Sequence, residues 1–368
     1  MNSNKGKEKI LVVQPYGIGD ALFMLPLLKA LKQQKNTGCI DLILGSRTRQ
    51  ILENFSYVDD IFVIDKDKWH AQGKIRTLLE KLKLFMELNR KRYTIFIDFS
   101  MQPEYAFWAK FLLRIPFRSG FDYKKKNRFL NHPLSLPMEG FANKHVIEYT
   151  SDLGKILGVE ILDKKPELNV SGALLQKTKD MLISIGMVPG KYIVVSPGGG
   201  ATWGRDAYFK QWPIENFNQF IVLIKKRIDF SGVVVLGLKK EILLGEYLRN
   251  NLVLKVANLC SETDLMTAAA LIKLSKLFLG NDGGLVHLAV TQDTPIIAFY
   301  GPADLNVYGA YPDKDNIAKL SKNLPCQPCY KSFRYKKDCK SLSCLKDFTP
   351  QEVFDKLEKI DFFKKCGD

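Results

Sequence analysis

The stretch "LFLGNDGGLVHLA", residues 277–289, decides the fold. An apolar, strand-like run stops at Gly280, and Asn, Asp and two glycines follow before an apolar helical run that carries His287. Parallel α/β sheets bind ligands at the carboxyl ends of their strands, where glycines let the backbone approach a ligand closely. The position of Asp282 at such a strand end therefore predicts a ligand site. The alternative is that Asn281 or Asp282 only caps the helix and that His287 is a satisfied core residue.

The same alternation of strand and helix runs through the rest of the chain. The predicted strands are 9–15, 40–44, 61–65, 93–99, 191–200, 232–237, 252–256, 277–281 and 295–301. The predicted helices include 19–33, 213–228, 239–250, 262–276 and 284–291, and a capping box at 349–352 opens a terminal helix. Residues 116–145 are predicted to be irregular. This alternation of strands and helices predicts two α/β domains with mainly parallel sheets.

The composition fits a globular protein with an anionic partner. The chain has 368 residues, 46% hydrophobic and 26% charged, and a formal charge of +16. Such a charge favours nucleic acid, a phosphorylated ligand or an anionic membrane surface. No run approaches the roughly 18 apolar residues of a membrane-spanning helix, and residues 1–15 are typical of a first strand and not of a signal peptide. We therefore expect a cytoplasmic protein.

A second strand end carries "GIGD", residues 17–20. This is not the dinucleotide fingerprint G-x-G-x-x-G, because Leu22 stands at the last glycine position. The glycines permit a tight turn that places Asp20 at the start of a helix. Asp20 is therefore either a helix cap or a carboxylate that accepts a proton.

A third strand end opens the glycine-rich stretch "SPGGGATWGRDAYFKQWP", residues 196–213. Flexible glycines with nearby cations, here Arg205 and Lys210, suit a diphosphate. The alternative is a mobile surface loop with ordinary exposed cations.

Four of the seven cysteines are clustered in "CQPCYKSFRYKKDCKSLSC", residues 326–344. In a cytosolic chain, Cys326, Cys329, Cys339 and Cys344 indicate a structural zinc or iron ion, or a set of reduced and partly buried thiols, before disulfides.

These motifs together resemble glycosyltransferase family 9, the ADP-heptose lipopolysaccharide heptosyltransferases. The resemblance rests on "ILVVQPYGIGDALFMLPLLKAL", "KQWPIENFNQFI", "LGNDGGLVHLAVTQDTPIIAFYGP" and "CQPCYKSFRYKKDCKSLSCLKDFTPQEVF", which occur in the family's order and span nearly the whole chain. Each motif alone is weakly specific, but four in order make a specific signal.

The resemblance implies a GT-B fold, an α/β fold of two Rossmann-like domains that face each other across a cleft. Residues 1–170 would bind the acceptor and residues 171–348 the nucleotide sugar, while the helix at 349–368 would pack back on the N-terminal domain. The implied reaction is inverting transfer of heptose from ADP-heptose to a lipopolysaccharide-core or related surface glycan. It needs no cofactor or metal, and the enzyme would be peripheral to the inner membrane and would not bind nucleic acid.

The resemblance also implies roles for particular residues. Asp20 would be the general base, Lys210 the phosphate-binding lysine and Glu241 a ribose-binding acid. The remaining donor-site residues would be Asp282, Gly283, Gly284, His287, Ser196 and Thr202, and the acceptor-site residues Gly17, Gly19, Lys124, Lys125 and Arg128. Gly283 departs from the family, which usually has Ser or Thr at this position.

Several alternatives remain open on the sequence. A GT-A enzyme would use Asp65 and Asp67 as a metal site, although a charged turn also explains them. The same fold could use another nucleotide sugar or a protein acceptor. A non-catalytic nucleotide- or nucleic-acid-binding protein would use the positive charge, but no RNA-binding fingerprint is present. The basic stretch "DYKKKNR", residues 122–128, is either a solvated loop or a docking site for anionic lipid or a phosphorylated acceptor.

Overall fold

The computed structural model describes residues 7–53, 55–201, 204–335 and 339–366. The chain divides into two compact units, Met1–Pro166 and Glu167–Asp368, so the boundary lies close to the expected one at residue 170. Each unit contains one six-stranded sheet in which neighbouring strands run parallel.

The first unit has the strand order β3-β2-β1-β4-β5-β6. Its strands are β1 (Glu8–Gln14), β2 (Thr37–Gly45), β3 (Asp60–Ile64), β4 (Ile95–Asp98), β5 (Phe117–Tyr123) and β6 (His132–Leu136). Its helices are α1 (Ile18–Phe23), α2 (Leu25–Lys32), α3 (Arg49–Leu52), α4 (Lys66–Ala71), α5 (Lys74–Asn89), α6 (Pro103–Phe111) and α7 (Val146–Ile156).

The second unit has the strand order β12-β11-β10-β7-β8-β9. Its strands are β7 (Tyr192–Ser196), β8 (Gly232–Val235), β9 (Lys255–Asn258), β10 (Leu277–Asn281), β11 (Ile296–Phe299) and β12 (Ile317–Leu320). Its α-helices are α8 (Gly172–Ser184), α9 (Ile214–Ile224), α10 (Ile242–Asn251), α11 (Leu265–Lys273), α12 (Gly284–Val290), α13 (Leu305–Tyr308), α14 (Ser343–Lys346) and α15 (Pro350–Lys359). Shorter 3₁₀ helices span Gly204–Lys210, Lys239–Glu241 and Phe362–Cys366.

The sequence prediction was wrong for residues 116–145, where the chain forms β5 and β6. Neither strand has a strong β pattern, because "FRSGFDY" holds an arginine and a glycine and "HPLSL" holds a proline. Gly120 has a φ of +152°, and a Cβ there would lie 2.3 Å from the carbonyl oxygen of Asp98. The close pairing of β5 with β4 therefore needs this glycine, which is a tertiary requirement that local propensity does not reveal.

The helix predicted at 19–33 is divided into α1 and α2 at Met24. Pro26 is the second residue of α2, where its missing N–H costs no helical hydrogen bond. The strand β12 was not predicted, although it pairs with β11 at the edge of the second sheet.

The terminal helix α15 packs within the second unit. Its side chains Val353 and Leu357 are fully buried in the same apolar core as Phe217, Ile221 and Ile224 of α9. This helix was expected to pack on the N-terminal domain. In the structure, its apolar side is buried in the core of its own unit.

Each sheet has one point at which the strand order reverses. The chain builds outward from β1 to β3 and then returns to the other side of β1 with β4, and likewise from β7 to β9 before β10. Ligands of open α/β sheets bind at such a switch point, beyond the carboxyl ends of the strands. Within the described residues, no helix is long and apolar enough to cross a membrane.

Candidate active site

At the switch point of the second unit, Asn281 joins three segments. Parallel pairing places Gly280 of β10 beside Ser196, the buried last residue of β7. The Asn281 Oδ1 accepts a hydrogen bond from the backbone N–H of Trp212 at 3.0 Å, and its Nδ2 donates to the carbonyl of Pro197 at 2.7 Å. Asn281 was considered only as a cap in the sequence analysis, but it fixes the glycine-rich loop and the segment after Lys210 at the end of β10.

Lys210 and Asp282 form a buried ion pair beside this junction. The Lys210 Nζ lies 2.7 Å from Asp282 Oδ2, and the two side chains are only 12% and 6% exposed. The two charges are close enough for an ion pair, but among the described residues no hydrogen bond with good geometry reaches Asp282 Oδ2. Because burial has already removed most of the water around this cation, an anionic group that enters the site would interact with it strongly. Sequence reasoning named both residues, and the structure brings them together.

The charge of Asp282 also acts on its neighbour Tyr300. Burial and then the negative charge of Asp282 raise the pKa of Tyr300 above its usual range. The Tyr300 hydroxyl accepts a hydrogen bond from the backbone N–H of Ala310 at 3.0 Å. The phenol therefore stays neutral and fixes the segment that follows β11.

Glu241 supports the glycine-rich loop from the other side. Its buried carboxylate accepts hydrogen bonds from the backbone N–H of Gly200 at 3.2 Å and of Leu238 at 2.7 Å. A Cβ on Gly198 would lie 2.0 Å from the Glu241 Cδ, so only glycine fits against this acid. The structure thus shows Glu241 as an anchor of the loop that begins at Ser196.

Gly283, Gly284 and His287 continue the site into α12. Gly283 has an extended backbone, with a φ of 174°, and a Cβ there would lie 3.7 Å from its nearest neighbour, the Asn281 carbonyl oxygen. The missing Ser or Thr side chain of the family could therefore be accommodated. Gly284 begins α12, and His287 is buried in the same helix.

Asp20 lies at the switch point of the first unit, after β1. Its Oδ2 accepts a hydrogen bond from the backbone N–H of Gly17 at 3.1 Å, so the carboxylate does stabilise the start of α1. The Gln14 side chain donates to the Asp20 carbonyl at 3.4 Å and accepts from the Tyr16 N–H at 3.3 Å. A small cavity here is lined by Asp20 together with Tyr16, Phe23, Phe99, Met101, Phe121 and Thr150. Gly17 is the N-cap of α1 and Gly19 lies in its first turn, and both residues are half-buried.

Asp98 is a second acid at this switch point, and the sequence analysis did not identify it. The fully buried carboxylate accepts hydrogen bonds from the backbone N–H and hydroxyl of Ser100 and, at 3.0 Å, from the Asn127 Nδ2. Burial raises the pKa of Asp98 to about 6, although the hydrogen bonds from Ser100 and Asn127 oppose this rise. The sequence signal was weak, because Asp98 is a single acid near the end of the strand predicted at 93–99.

Tyr16 connects the ends of β1 and β4. Its hydroxyl donates to the carbonyl of Ser100 at 2.5 Å and accepts from the Gln102 side chain at 3.3 Å. Burial raises the pKa of Tyr16, with smaller increases from the charges of Asp98 and Asp20. Asp20 and Asp98 therefore act on a common phenol.

The basic loop after β5 is tethered to Asp98. Lys124, Lys125 and Arg128 are exposed, whereas Asn127 between them is buried. Asn127 donates to Asp98 through its side chain, and its backbone N–H donates to the Asp122 carboxylate at 2.9 Å. Since the carboxyl ends of parallel strands share one edge of a sheet, the structure places these predicted acceptor-site cations on the edge that also carries Asp20.

Other predicted residues have different outcomes. Thr202 lies outside the described residues, as do the side chains of Arg205 and Asp67. Asp65 caps α4, because its side chain accepts a hydrogen bond from the Lys68 N–H at 3.0 Å. This agrees with the charged turn that was the alternative to a GT-A metal site.

The four clustered cysteines are free thiols in different environments, from the exposed Cys326 to the buried Cys344. Burial and the nearby thiols of Cys329, Cys339 and Cys326 raise the pKa of Cys344 to about 12. The four thiols are therefore near one another. Within the described residues, however, no group of three or more His, Cys, Asp or Glu side chains is arranged to hold a metal ion.

The architecture and the switch-point sites define a glycosyltransferase of the GT-B class, and solved structures share this fold. The structure of E. coli ADP-heptose lipopolysaccharide heptosyltransferase II is similar with a TM-score of 0.72 and 23% identity, over 97% of this chain and 99% of that one. A family 9 glycosyltransferase from Veillonella parvula gives a TM-score of 0.75 at 18% identity, over 96% and 97% of the two chains.

The family model for "Glycosyltransferase family 9 (heptosyltransferase)" matches residues 81–339, and the chain belongs to this family. Lipooligosaccharide heptosyltransferase 2 of Campylobacter jejuni is 25% identical over 355 residues, which cover 96% of this chain and 99% of the relative. The family membership confirms the resemblance drawn from the motifs.

We expect Gly198→Ala to destabilise the second unit, because its Cβ would displace Glu241 from the N–H groups of Gly200 and Leu238. The free energy of unfolding should fall by about 1–3 kcal/mol, the usual cost of overpacking or of unsatisfied buried polar groups. Gly283→Ser is the matched control and should unfold like the wild type. Equal melting temperatures for the two variants would contradict the packing described for Glu241.

We expect Asp98→Asn to change how stability depends on pH. The folded-state pKa of about 6 is above that of an unfolded Asp, near ~3.9, so the wild type loses stability as the pH rises from about 4 to 6. The loss is of order 3 kcal/mol, and Asn, which does not ionise, should not show it. Urea unfolding of both proteins at about pH 4.5 and pH 7 measures the difference; parallel pH dependences would show that the Asp98 pKa is not raised.

Proposed function

We propose that this protein is an inverting glycosyltransferase that moves heptose from ADP-heptose to a lipopolysaccharide-core or related surface glycan. The observation that carries the proposal is the buried Lys210–Asp282 pair at the switch point of the second unit. The family membership and the name of the similar E. coli enzyme support heptose and ADP as the sugar and nucleotide.

The donor diphosphate would bind in the second unit. Lys210 would neutralise the phosphates, and the backbone N–H groups of Gly283 and Gly284 would donate to them at the start of α12. Ser196 and Thr202 would contribute hydroxyls from the glycine-rich loop. Asp282 and His287 would shape the pocket, and Glu241 would act on the ribose in addition to anchoring the loop.

The acceptor would bind in the first unit. Asp20 would accept the proton of the attacking hydroxyl, with Gly17 and Gly19 providing the turn that presents it. The exposed cations Lys124, Lys125 and Arg128 would contact anionic groups of the acceptor, and the Asp98–Asn127 hydrogen bond would hold their loop in place.

The reaction follows from these charges. As the bond from the anomeric carbon to the diphosphate oxygen breaks, negative charge develops on ADP, and Lys210 stabilises it where water is largely excluded. The acceptor oxygen forms its bond from the opposite face while Asp20 takes the proton, so the configuration inverts. We propose that this chemistry needs no cofactor or divalent metal, so the rate should be unchanged by EDTA.

Two substitutions separate the donor and acceptor roles. Lys210→Ala should weaken ADP binding, whereas Asp20→Asn should bind ADP normally because it changes the other unit. Turnover of Asp20→Asn should fall by about 10²-fold or more, the scale expected on loss of a general base. Calorimetry with ADP and a transfer assay provide the two measurements.

The measurements must also show whether Asp20 acts as a general base or only as a helix cap. Asn can still accept the Gly17 N–H, so Asp20→Asn should fold normally. If Asp20→Asn retained most of its turnover while Asp20→Ala melted several degrees lower, Asp20 would be only a cap. A thermal-shift panel of ADP, AMP and other nucleoside diphosphates tests the donor: equal stabilisation by AMP and ADP would contradict a diphosphate site.

We also propose that the four clustered cysteines hold one structural zinc or iron ion. The support is that the other three thiols lie near enough to Cys344 to raise its pKa, a repulsion that a bound cation would reverse. As described above, the thiols are not in a ligand arrangement, so metal binding would draw this segment together.

Elemental analysis should find about one metal ion per chain, since four thiolates fill one tetrahedral site. Cys329→Ser should lose the metal, whereas the control Cys39→Ser, outside the cluster, should retain it. A metal-free protein with an unchanged melting temperature would leave the cluster as reduced thiols.

Finally, we propose that the enzyme works in the cytoplasm at the surface of the inner membrane. An acceptor built on a lipid anchor would be presented there, and the +16 charge of the chain favours an anionic surface.

A further inference from the structure

Helix α5 of the first unit carries apolar residues on both a buried and an exposed side. One side carries Phe85 and Leu88, which are buried in the core beneath the helix. The other side carries Ile75, Leu78, Leu79 and Met86, which are between 49% and 80% exposed. The spacing of i, i+3, i+4 and i+11 places these four on one helical face. A surface helix normally has polar residues on its solvent-facing side, so an apolar solvent-facing side indicates an interaction surface.

The neighbouring helix α6 extends the same surface. Lys81 of α5 pairs with Glu104 at 2.5 Å, and Phe85 stacks on Trp108 at a centroid distance of 5.2 Å. Both helices contribute to one buried core, so their exposed sides point away from the same face of the sheet. On its exposed side α6 presents Phe107 and Phe111, whose rings are 4.9 Å apart and are 40% and 53% exposed.

Cations border this apolar surface. The exposed basic residues on and beside the two helices are Lys74, Arg76, Lys83, Arg90, Lys110, Arg114 and Arg128. Two of them lie over aromatic rings: the Lys110 Nζ is 5.1 Å from the Phe111 ring centroid, and the Arg128 guanidinium carbon is 5.1 Å from that of Phe129. Of the three acids on these helices, Glu80 pairs with Lys68, Glu104 pairs with Lys81, and Glu87 is exposed. Exposed basic residues therefore outnumber the acids along this border.

We propose that the exposed apolar faces of α5 and α6 form a docking surface for an anionic phospholipid bilayer. Helices with an apolar face bordered by Lys and Arg lie in the plane of a membrane interface, where apolar burial and attraction to anionic lipid add together. An anionic bilayer is the occupant that suits both features, because it can bury the apolar side chains and attract the basic residues beside them at the same time. This inference rests on the proposed action at the inner membrane and assigns it to a surface of the first unit that adjoins the proposed acceptor site at Arg128.

Vesicle cosedimentation of the full chain tests the proposal. The wild type should bind vesicles with about one-third phosphatidylglycerol and bind phosphatidylcholine vesicles much more weakly. Ile75→Ser/Leu79→Ser should reduce partitioning onto the anionic vesicles by roughly tenfold or more, and Arg76→Gln/Lys83→Gln should reduce it as well. All four side chains are exposed, so both double variants should fold normally.

Matched controls are available in the second unit. Leu243→Ser/Val253→Ser removes two exposed apolar side chains, and Lys177→Gln/Lys179→Gln removes two exposed cations. Both control proteins should bind vesicles like the wild type. Vesicle binding that is absent in the wild type, or equal in all variants, would overturn the proposal. So would a wild-type dimer that Ile75→Ser/Leu79→Ser converts to a monomer, because a second copy would then occupy the surface.

A transfer assay with ADP-heptose and a lipid-free acceptor separates this inference from the proposed function. The vesicle-binding variants should retain wild-type turnover in that assay, because none of their residues lies in the ligand sites. If the wild type showed normal turnover but did not bind vesicles, only the docking surface would be overturned. Normal vesicle binding without transfer would overturn only the proposed reaction.

Discussion

Parallel pairing of β10 with β7, at the point where the strand order reverses, is the constraint on which the donor site depends. It brings Gly280 beside Ser196. The side-chain amide of Asn281 then forms hydrogen bonds with backbone groups of two other segments. A buried amide without these partners would be costly, so the loop after β7 and the segment after Lys210 are held in register with β10. The Lys210–Asp282 pair forms only because this register is fixed.

Burial gives the charged groups of both sites their chemical character. Lys210 and Asp282 are largely removed from water, so the lysine interacts strongly with any anion that enters. In the first unit, the same desolvation keeps Asp98 partly protonated near neutral pH, whereas the less buried Asp20 lies at the cavity. Two acids beside one tyrosine thus differ because their surroundings differ: Asp98 holds the basic loop through Asn127, and Asp20 lines the small cavity.

The sequence predicted the strands with strong apolar patterns and the residues at their carboxyl ends. It failed for β5, β6 and β12, whose sequences carry polar residues, a glycine or a proline and which depend on a neighbouring strand for their hydrogen bonds. It also missed Asp98, since a single acid at the end of a strand has no motif around it. Amphipathicity indicated that the terminal helix is buried on one side, and the structure supplies the partner of that side, the core of the second unit.

By itself, the sequence determined the α/β class, the two-unit organisation and the positions of Asp20 at a helix start and of Asp282 at a strand end. Apolar periodicity and glycine placement are local, and a local pattern is enough for these properties. Only the tertiary structure decided that Lys210 meets Asp282, that Gly198 must be glycine against Glu241, and that Asp98 holds the basic loop. These contacts join residues 29 to 72 positions apart, and their geometry is set by strand order and register, which no short stretch of sequence contains.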